Sequence, residues 1–530
     1  MADAVHGQVE QPGICVAIMD TVEFNRLRKI QQLGLCSRVF KDASHNRFSH
    51  SVGVSHLAGK FATQLNEHLK RDGADQSIIA TERDIRCVQI AGLCHDLGHA
   101  PYSHVFEKVL KNIGVPLGEG KGEWNHEEMG VKMLKYLMEV NNIQWEDYDH
   151  VKEEDMLFIQ ECIIGVENHV RSERNYLKKW PRPSWLYEIV SNHESGLDVD
   201  KLDYLMRDSS FTHVRVGADF DYLLTSARVR VCDDGHYRIT FPDKAYMEVL
   251  KVFECRYHLH QAVYQHRTVV GLEDLLVDAI TSAAPYMEFY NAQNEPMLLK
   301  DAIWNCHAFA TMTDTIWDTI IRPTRDVILR QHFLHAKKMF ERIDKRDKYP
   351  YAGEVYLCAE PALQARIYGK HDIVLNHAGE RKHRINDDSD SEEEEEDEDI
   401  SRLTVNNLIE ELVLLDRTKD RTRRLMAEDI IVHFKQAHFG QKTRNPNNEV
   451  FFFEKEADWY GSASQKPSPT QEARRLDDDK YSLPRFCDRV IRVYCRSPLK
   501  LHLLQNVLRE WTNKNGCPSP RGGSQSQVMM

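Results

Sequence analysis

The residues whose types and spacing could do chemistry are concentrated in the segment from Leu93 to Pro101, Leu-Cys-His-Asp-Leu-Gly-His-Ala-Pro. Apolar residues at helical spacing precede it, so we expect His95 and Asp96 near the end of a helix. His99 follows one turn further, on the same side as His95. The motif can point three ligating side chains into one cavity. A purely packed and hydrogen-bonded role for the same side chains is the alternative.

Two distant segments carry side chains of matching chemistry. His50 closes the segment His-Asn-Arg-Phe-Ser-His, which begins at His45 and leads into an apolar-periodic helix. Further along, Asp200, Tyr204 and Asp208 share one helix face by their spacing of four residues. Buried carboxylates on such a face need a cation as a partner.

Together these segments make a set of two histidines and two carboxylates. Such a set suits a borderline or hard divalent ion such as Mn, Fe, Zn or Mg, and the sequence does not choose among them. The four candidate ligands are His50, His95, Asp96 and Asp200.

The elements that must position these residues are mostly helices. Apolar residues recur three and four apart from about residue 20 to 349, for example at Phe24, Leu27 and Ile30, and a second long helical region runs from about Asp301 to Ile343. One hairpin is predicted between residues 229 and 241, around an Asp-Gly turn. We expect a mainly α fold with a small β-hairpin in its helical core.

A smaller α+β lobe is predicted at residues 402–514, after a catalytic core at 1–380. It has strands at Ile430–Phe434 and Val490–Cys495 and an amphipathic helix at Leu501–Thr512. Residues 381–401 are too charged to bury and are predicted to be a disordered linker, and residues 515–530 a disordered tail. The linker is either a solvated spacer or a kinase target, because Ser389 and Ser391 precede acidic residues.

Composition excludes several classes of protein. The 530 residues include no run of about 18 uncharged apolar residues, which argues against a membrane span, and the N-terminus lacks a secretory signal pattern. The 12 cysteines are scattered without a Cys-x-x-Cys pair, as in reduced nuclear or cytoplasmic proteins. Eleven acids lie in residues 387–399, and removing them from the net charge of −13 leaves −2. Global charge therefore says nothing about a nucleic-acid partner.

The order His…His-Asp…Asp resembles the HD-domain metal-dependent phosphohydrolases. The flanking segments are more specific and resemble the deoxynucleoside triphosphate (dNTP) triphosphohydrolases that join a sterile alpha motif to an HD domain. The similarity covers about residues 6–512, with its motif region at about 45–210, and implies an HD-domain core without a sterile alpha motif domain. The segments that carry it are His45–Ser51, Cys94–His104, Trp124–Glu127, Asp198–Tyr204 and Tyr264–His266.

The resemblance implies hydrolysis of a dNTP to a deoxynucleoside and inorganic triphosphate. It assigns the metal, Fe, Zn or Mn, to His50, His95, Asp96 and Asp200, with Mg accompanying bound nucleotides. The positions that match the family's catalytic residues are His99, His126, Glu127 and Glu107, the last standing where the family carries Asp. A histidine held by a carboxylate can donate a proton near neutral pH.

The resemblance also implies a substrate site. Cationic side chains and a tyrosine hydroxyl would hold the triphosphate. Tyr264 matches the aromatic residue that crowds the C2′ atom of the sugar and so excludes a ribose. The substrate-binding positions are Gln32, Leu33, Arg47, His104, Lys201, Tyr204, Asp208, Arg256, Tyr264 and Gln265.

Regulatory sites are implied less completely. The family forms homo-oligomers, from dimers to tetramers, when GTP or dGTP and a dNTP bind at subunit interfaces. The guanine-site positions are Asp20, Asn25 and Arg28, and those of the second dNTP site are Val39, Arg228, Lys244, His266 and Arg267. Ala2, Pro242, Glu248 and Ala262 depart from the family pattern. Each lost guanidinium removes about 1.5–3 kcal/mol of phosphate binding, so we expect weakened or altered activation with an intact catalytic site.

Two other functions remain open from the residues alone. Another HD phosphohydrolase would act on a monophosphate or cyclic nucleotide. A non-enzymatic homologue would bind single-stranded nucleic acid in a salt-dependent way, without metal-dependent turnover. We expect no membrane partner and a location in the nucleus or cytoplasm.

Overall fold

The structure is a computed structural model, and it describes residues 1–118, 122–148, 150–165, 182–232, 235–321, 327–357, 361–368, 403–420, 422–442, 444–454, 473–475, 486–517 and 520. The chain divides into two compact units. The first comprises Met1–Lys348 and Pro446–Asp477, and the second Tyr349–Asn445 and Asp478–Met530.

The first unit is built from helices. In chain order they are α1 (Gly13–Met19), α2 (Val22–Asn25), α3 (Arg47–Arg71), α4 (Glu82–Cys94), α5 (His104–Asn112), α6 (His126–Val140), α7 (Met156–Ile164), α8 (Val199–Thr212), α9 (Phe220–Ser226), α10 (Tyr246–Leu259), α11 (Arg267–Ala283), α12 (Leu299–Ala302), α13 (Cys306–Ala310), α14 (Ile316–Ile321) and α15 (Val327–Asp344). Helices α3 and α4 pack along each other, and α8 lies against α3. A π-helical turn, His260–Tyr264, follows α10.

Small sheets complete this unit. Strands β1 (Ala2–Asp3) and β2 (Gly7–Gln8) form a short antiparallel pair at the N-terminus. The predicted hairpin is confirmed as antiparallel β3 (Arg228–Val231) and β4 (Tyr237–Pro242). Strands β5 (Glu288–Tyr290) and β6 (Pro296–Leu298) form a second hairpin.

The second unit is an α+β lobe around a three-stranded antiparallel sheet. Strand β10 (Cys487–Cys495) lies between β7 (Tyr351–Tyr356) and β8 (Ile430–His438). Strand β9 (Phe452–Phe453) belongs to the first unit, where it pairs in parallel with β4. Helices α16 (Pro361–Tyr368), α17 (Val405–Leu415) and α18 (Leu501–Lys514) complete the lobe, and residues such as Leu408, Ile491 and Trp511 form its core. The strands and the terminal helix predicted for this lobe are confirmed, and so is the mainly α class of the chain.

Two predicted helical stretches are broken in the structure. Helix α2 is followed by a 3-10 turn at residues 26–29, because Gln31 then pairs with Asn46 and draws the chain out of the helix. The region predicted from Asp301 to Ile343 is four helices, α12 to α15. Asn305 caps a new helix by accepting the backbone N–H of Ala308. Local side-chain bonds of this kind compete with helix continuation.

The compact units also differ from the predicted boundaries. Residues 349–368 fall in the second unit because β7 pairs with β10, and residues 446–454 fall in the first because β9 pairs with β4. The predicted acidic linker, its two serines and nearly all of the predicted tail lie outside the described residues. Within the described residues no disulfide joins two cysteines, and no helix has the length and apolar content that crossing a bilayer requires.

Candidate active site

Helix ends bring the first two predicted ligands together. Asn46 caps α3 by accepting the backbone N–H of Ser49, which places His50 in the first turn of that helix. Helix α4 ends at Cys94, and His95 is its C-terminal cap, as the sequence predicts. Because α3 and α4 pack along each other, these two ends meet inside the first unit.

Four potential metal-ligating atoms converge at this point. The Nε2 atoms of His50 and His95 lie 3.2 Å apart, and Asp200 Oδ1 is 2.9 Å and 3.3 Å from them. The carboxylate of Asp96 approaches each imidazole to 3.5 Å. Two ligands bound about 2.1 Å from one ion at tetrahedral or octahedral angles are separated by about 3.0–3.4 Å. The donor set and its spacing therefore fit a divalent cation.

The outer nitrogens of both histidines are held in place, as metal-ligating histidines require. His95 Nδ1 donates to the carbonyl of Gly92 at 2.8 Å, and His50 Nδ1 donates to Asp203 at 2.7 Å. Burial alone would lower the pKa of His50, but its hydrogen bonds to Asp200 and Asp203 raise this pKa to about 10. The site is thus negative enough to retain a cation, either a proton or a metal ion.

A second histidine cluster adjoins the first. His99 Nε2 lies 3.1 Å from Asp96, and the His99 ring stacks on that of His126 with centroids 4.2 Å apart. His126 has a carboxylate at each nitrogen, with Glu107 3.4 Å from Nδ1 and Glu127 3.2 Å from Nε2. All four predicted catalytic residues therefore lie in one group.

The two stacked imidazoles have opposite acidities. Burial and the positive charges of Arg47 and His126 hold the pKa of His99 well below its usual value. Burial would lower the pKa of His126 as well, but the hydrogen bond to Glu107 and the charge of Glu127 raise it. A pair of groups whose environments separate their pKa values is typical of acid–base sites. Here the surroundings favour the neutral form of His99 and the protonated form of His126.

The predicted substrate-binding residues Arg47, Lys201, Arg256 and His104 differ in how they are held near the candidate metal ligands. Arg47 is buried and fixed by Asp96 at 2.6 Å and by the Ser103 hydroxyl at 3.0 Å. Lys201 donates to the carbonyl of Gly196 on the α8 side. Arg256 lies on α10, and its charge acts on Tyr204 of α8. His104 is exposed, with its ring 5.0 Å from that of His99.

Asp208, a predicted substrate-binding residue, supports a second residue of the predicted substrate site, Tyr264. Both oxygens of Asp208 are engaged, because His45 Nε2 binds Oδ1 at 2.7 Å and the Tyr264 hydroxyl donates to Oδ2 at 2.6 Å. Buried Asp208 thus holds the aromatic ring of Tyr264 in place, and each of its oxygens already accepts one hydrogen bond. Tyr264 ends the π-helical turn, and Gln265 follows it.

The loop that carries Gln31 and Gln32, here called the glutamine loop, offers a buried hydrogen-bond acceptor that would suit a sugar hydroxyl. Gln32 is buried, and its Oε1 atom has no hydrogen-bond partner among the described residues. Its backbone N–H donates to the carbonyl of His45, and Leu33 comes next, half-buried. An unsatisfied buried acceptor of this kind needs a ligand or water.

The predicted guanine-site residues form a surface group. Arg28 donates from Nε to Asn25 Oδ1 at 2.7 Å, and its guanidinium lies 3.4 Å above the ring of Phe48. Asp20 is exposed at the end of α1.

The positions predicted for the second regulatory site divide into two groups. Lys244 lies over Tyr222 of α9, and Arg228 donates to Thr225 at the end of the same helix. His266, next to Arg267 at the start of α11, instead contacts Phe40, the residue after Val39.

Several residues of the site were missed by reasoning from the sequence. Asp203 follows Asp200 by three residues, and only the fold shows that it binds His50. Arg26 is buried and donates to the carbonyls of Leu97 at 2.6 Å and His99 at 2.9 Å, so it holds the turn that carries His99. The only available signal for Arg26 was a basic residue in an apolar-periodic segment that also carries Arg28 and Lys29.

A strained turn next to the site was also missed. Tyr102 and Ser103 are consecutive non-glycine residues with φ values of 58° and 56°. Asp314 accepts the backbone N–H of Tyr102 at 2.6 Å, and the Ser103 hydroxyl donates to the carbonyl of Gln31 at 2.8 Å. These bonds keep the strained turn in place and connect Arg47 to the glutamine loop.

Comparisons with known proteins agree with this geometry. The HD domain model matches residues 47–208. The human deoxynucleoside triphosphate triphosphohydrolase SAMHD1 is 32% identical over 98% of this chain and 74% of the human protein. The chicken SAMHD1 is also 32% identical, over 98% of this chain and 76% of its own length, and the Dictyostelium discoideum homolog is 28% identical over 98% and 81%. The chain belongs to the SAMHD1 family of HD-domain hydrolases.

Proposed function

We propose that this protein is a metal-dependent dNTP triphosphohydrolase that releases a deoxynucleoside and inorganic triphosphate. One observation carries the proposal: four ligand atoms from α3, α8 and the end of α4 converge beside a histidine that has a carboxylate at each ring nitrogen. His50, His95, Asp96 and Asp200 would hold the metal ion. When bound, that ion supplies positive charge for the α-phosphate and lowers the pKa of a water molecule.

The chain's own residues supply the proton and the phosphate contacts. Water attacks the α-phosphorus and gives up a proton, the bond between the phosphorus and the 5′ oxygen breaks, and the leaving oxygen takes a proton. His126 is the proposed donor, since Glu107 and Glu127 keep its pKa raised. Arg47, which is already fixed by Asp96 and Ser103, pays little entropy when it binds a phosphate oxygen. Lys201, Arg256 and Tyr204 are the other proposed phosphate contacts.

The preference for deoxyribose is proposed to come from Tyr264. Asp208 accepts from the tyrosine hydroxyl and is itself held by His45. A ring fixed at both its backbone and its hydroxyl cannot move aside for a 2′-hydroxyl group. A ribonucleotide would therefore bind only by breaking a buried hydrogen bond.

We further propose that GTP or dGTP and a second dNTP regulate the enzyme through its oligomeric state, more weakly than the family pattern implies. Arg28 and Asn25 support each other at the surface, whereas Ala2, Pro242 and Ala262 lack the polar side chains of the family, and Glu248 places a carboxylate where the family has Asn. Titrating GTP and dATP against both rate and oligomer size tests this. Ordinary nucleotide-dependent tetramers at low nucleotide concentration would contradict the weakening.

Product analysis tests the catalytic proposal. Purified protein is incubated with dGTP, GTP and Mn²⁺ or Mg²⁺, and inorganic triphosphate is measured. We expect triphosphate release by the unmodified protein and none by Asp200→Ala. Asp221→Ala, which removes an exposed carboxylate on α9, is the matched control and should retain activity.

Other outcomes would replace the proposal. Monophosphate or pyrophosphate as the product would indicate a different HD phosphohydrolase. Salt-dependent binding of a single-stranded oligonucleotide with no metal-dependent turnover would indicate a binding protein.

A further inference from the structure

A buried ionic network lies behind the candidate ligand His50. At its centre is Asp203, which is completely buried. Asp203 accepts hydrogen bonds from His50 Nδ1 at 2.7 Å and from His6 Nε2 at 2.6 Å. Arg207, one turn later on α8, donates to both oxygens of Asp203 at 2.9 Å. One carboxylate therefore binds a candidate metal ligand, a second imidazole and a guanidinium.

The N-terminal strands close this network. Asp3 lies at the end of β1, and its carboxylate accepts from Arg207 Nη1 at 3.0 Å and Nη2 at 3.2 Å. The same carboxylate accepts the backbone N–H groups of Val5 and His6, each at 2.9 Å. The turn between β1 and β2 thus aims Asp3 at Arg207 and His6 at Asp203 at the same time. One side chain from this turn therefore binds a carboxylate 197 residues away in the sequence, and the other binds the arginine that holds that carboxylate.

Helix α3 packs directly against this network at a glycine. Gly53 lies one turn beyond His50 on α3, and a Cβ atom there would be 2.0 Å from Asp203 Oδ1 and 2.4 Å from Arg207 Nη2. Only glycine allows α3 to approach the ion pair this closely. The helix that carries His50 and the network that orients it are therefore packed as a single unit.

The other candidate histidine ligand is supported differently. His95 is oriented by the carbonyl of Gly92, within its own helix. His50 depends on a side chain from α8 and, through it, on the N-terminal turn.

We propose that His6 and Asp3 are positioning residues for the metal site, which act through Asp203 and Arg207 to fix the ring of His50. This inference rests on the proposed metal-binding function. Outer partners of metal-ligating histidines set the orientation of the ring and the basicity of its metal-binding nitrogen. Their loss weakens metal affinity even when every ligand is still present.

Binding of Mn²⁺ to the purified full chain, followed by electron paramagnetic resonance of the free ion, tests the proposal directly. We expect His6→Ala to weaken Mn²⁺ binding by about tenfold or more. His6→Gln keeps a donor near the position of Nε2 and should restore most of the affinity. Asp3→Ala should weaken binding less, since Arg207 would still hold Asp203. His56→Ala, which removes the ring 5.7 Å from His6 on α3, is the matched control and should bind as the unmodified protein does.

The outcomes separate the two proposals. If the unmodified protein binds Mn²⁺ and Asp200→Ala does not, the metal site stands, and equal affinity in His6→Ala would then overturn the positioning role. If the unmodified protein and Asp200→Ala bind Mn²⁺ equally weakly, the proposed function fails and this inference fails with it. Thermal melting in EDTA shows whether His6→Ala destabilises the metal-free fold; weakened Mn²⁺ binding together with an unchanged melting temperature supports positioning.

Discussion

His50 and His95 each have one ring nitrogen held by a hydrogen bond, and the other nitrogen points toward the remaining candidate ligand atoms. His126, by contrast, has a carboxylate beside each ring nitrogen. The first arrangement gathers four electron-rich atoms around one point, where a cation would compensate their charge. The second favours the protonated form of His126, whose stacked neighbour, His99, favours its neutral form. The same residue type thus serves two different tasks, and the position of the carboxylates decides which.

The largest effect should come from removing a candidate metal ligand. His50→Ala deletes one of the four converging atoms and leaves buried Asp203 without one of its two imidazole partners. We expect Mn²⁺ binding to be lost and triphosphate release to fall to background, measured by metal titration and product assay. The control His56→Ala changes a histidine further along α3. Retention of both binding and turnover by His50→Ala would remove the distinction between the two clusters.

A smaller effect is expected from the second cluster. His126→Gln removes the proposed proton donor and should lower kcat by about 10²–10⁴-fold. Because no candidate metal ligand changes, the dissociation constant of Mn²⁺ should stay the same. His150→Gln, at a surface histidine paired with Glu82, is the control. A parallel loss of metal affinity in His126→Gln would show that the two clusters are one functional unit.

Overpacking behind His50 should weaken Mn²⁺ binding by the first cluster, although every candidate metal ligand is still present. Gly53→Ala forces a methyl group onto Asp203, so we expect unfolding free energy to fall by about 1–3 kcal/mol. Mn²⁺ affinity should fall by about 10–100-fold. Urea unfolding and metal titration measure the two effects. Gly217→Ala, where the added atom meets nothing within 4 Å, should change neither.

The smallest expected effect is a change in the pH dependence of kcat. Glu107 raises the pKa of His126, so His126 stays protonated, and active as an acid, above its usual range. Glu107→Gln removes that support and should move the alkaline limb of the kcat profile to lower pH. Glu128→Gln, on the same first turn of α6, is the control. An unchanged alkaline limb would mean that another group donates the proton.

The predicted fold class is confirmed because it rests on local patterns. The hairpin at 229–241, the strands β8 and β10, and helix α18 each follow from alternation or helical periodicity within a few residues. The prediction of one long helical region after Asp301 failed because Asn305 caps a new helix and because the backbone N–H of Asp314 donates to the carbonyl of Lys29, far away in the sequence.

Membership of the family also follows from the sequence, since the motif order His…His-Asp…Asp and its flanks are local and specific. The roles of the individual site residues remain predictions. The structure brings together those of the two histidine clusters and gives Asp208 a supporting position behind Tyr264.

By itself, the sequence determined which side chains are available for metal and proton chemistry, and their order along the chain. The tertiary structure decided which residues orient them. Asp203, with His6, Arg207 and Asp3, holds His50. Arg26 holds the turn that carries His99. The physical reason is that a buried charge must be compensated within hydrogen-bond distance, and the compensating groups come from segments far apart in sequence. No local pattern encodes such a pairing, because only the packing of α3 against α8 and of the N-terminal turn beside them brings the partners together.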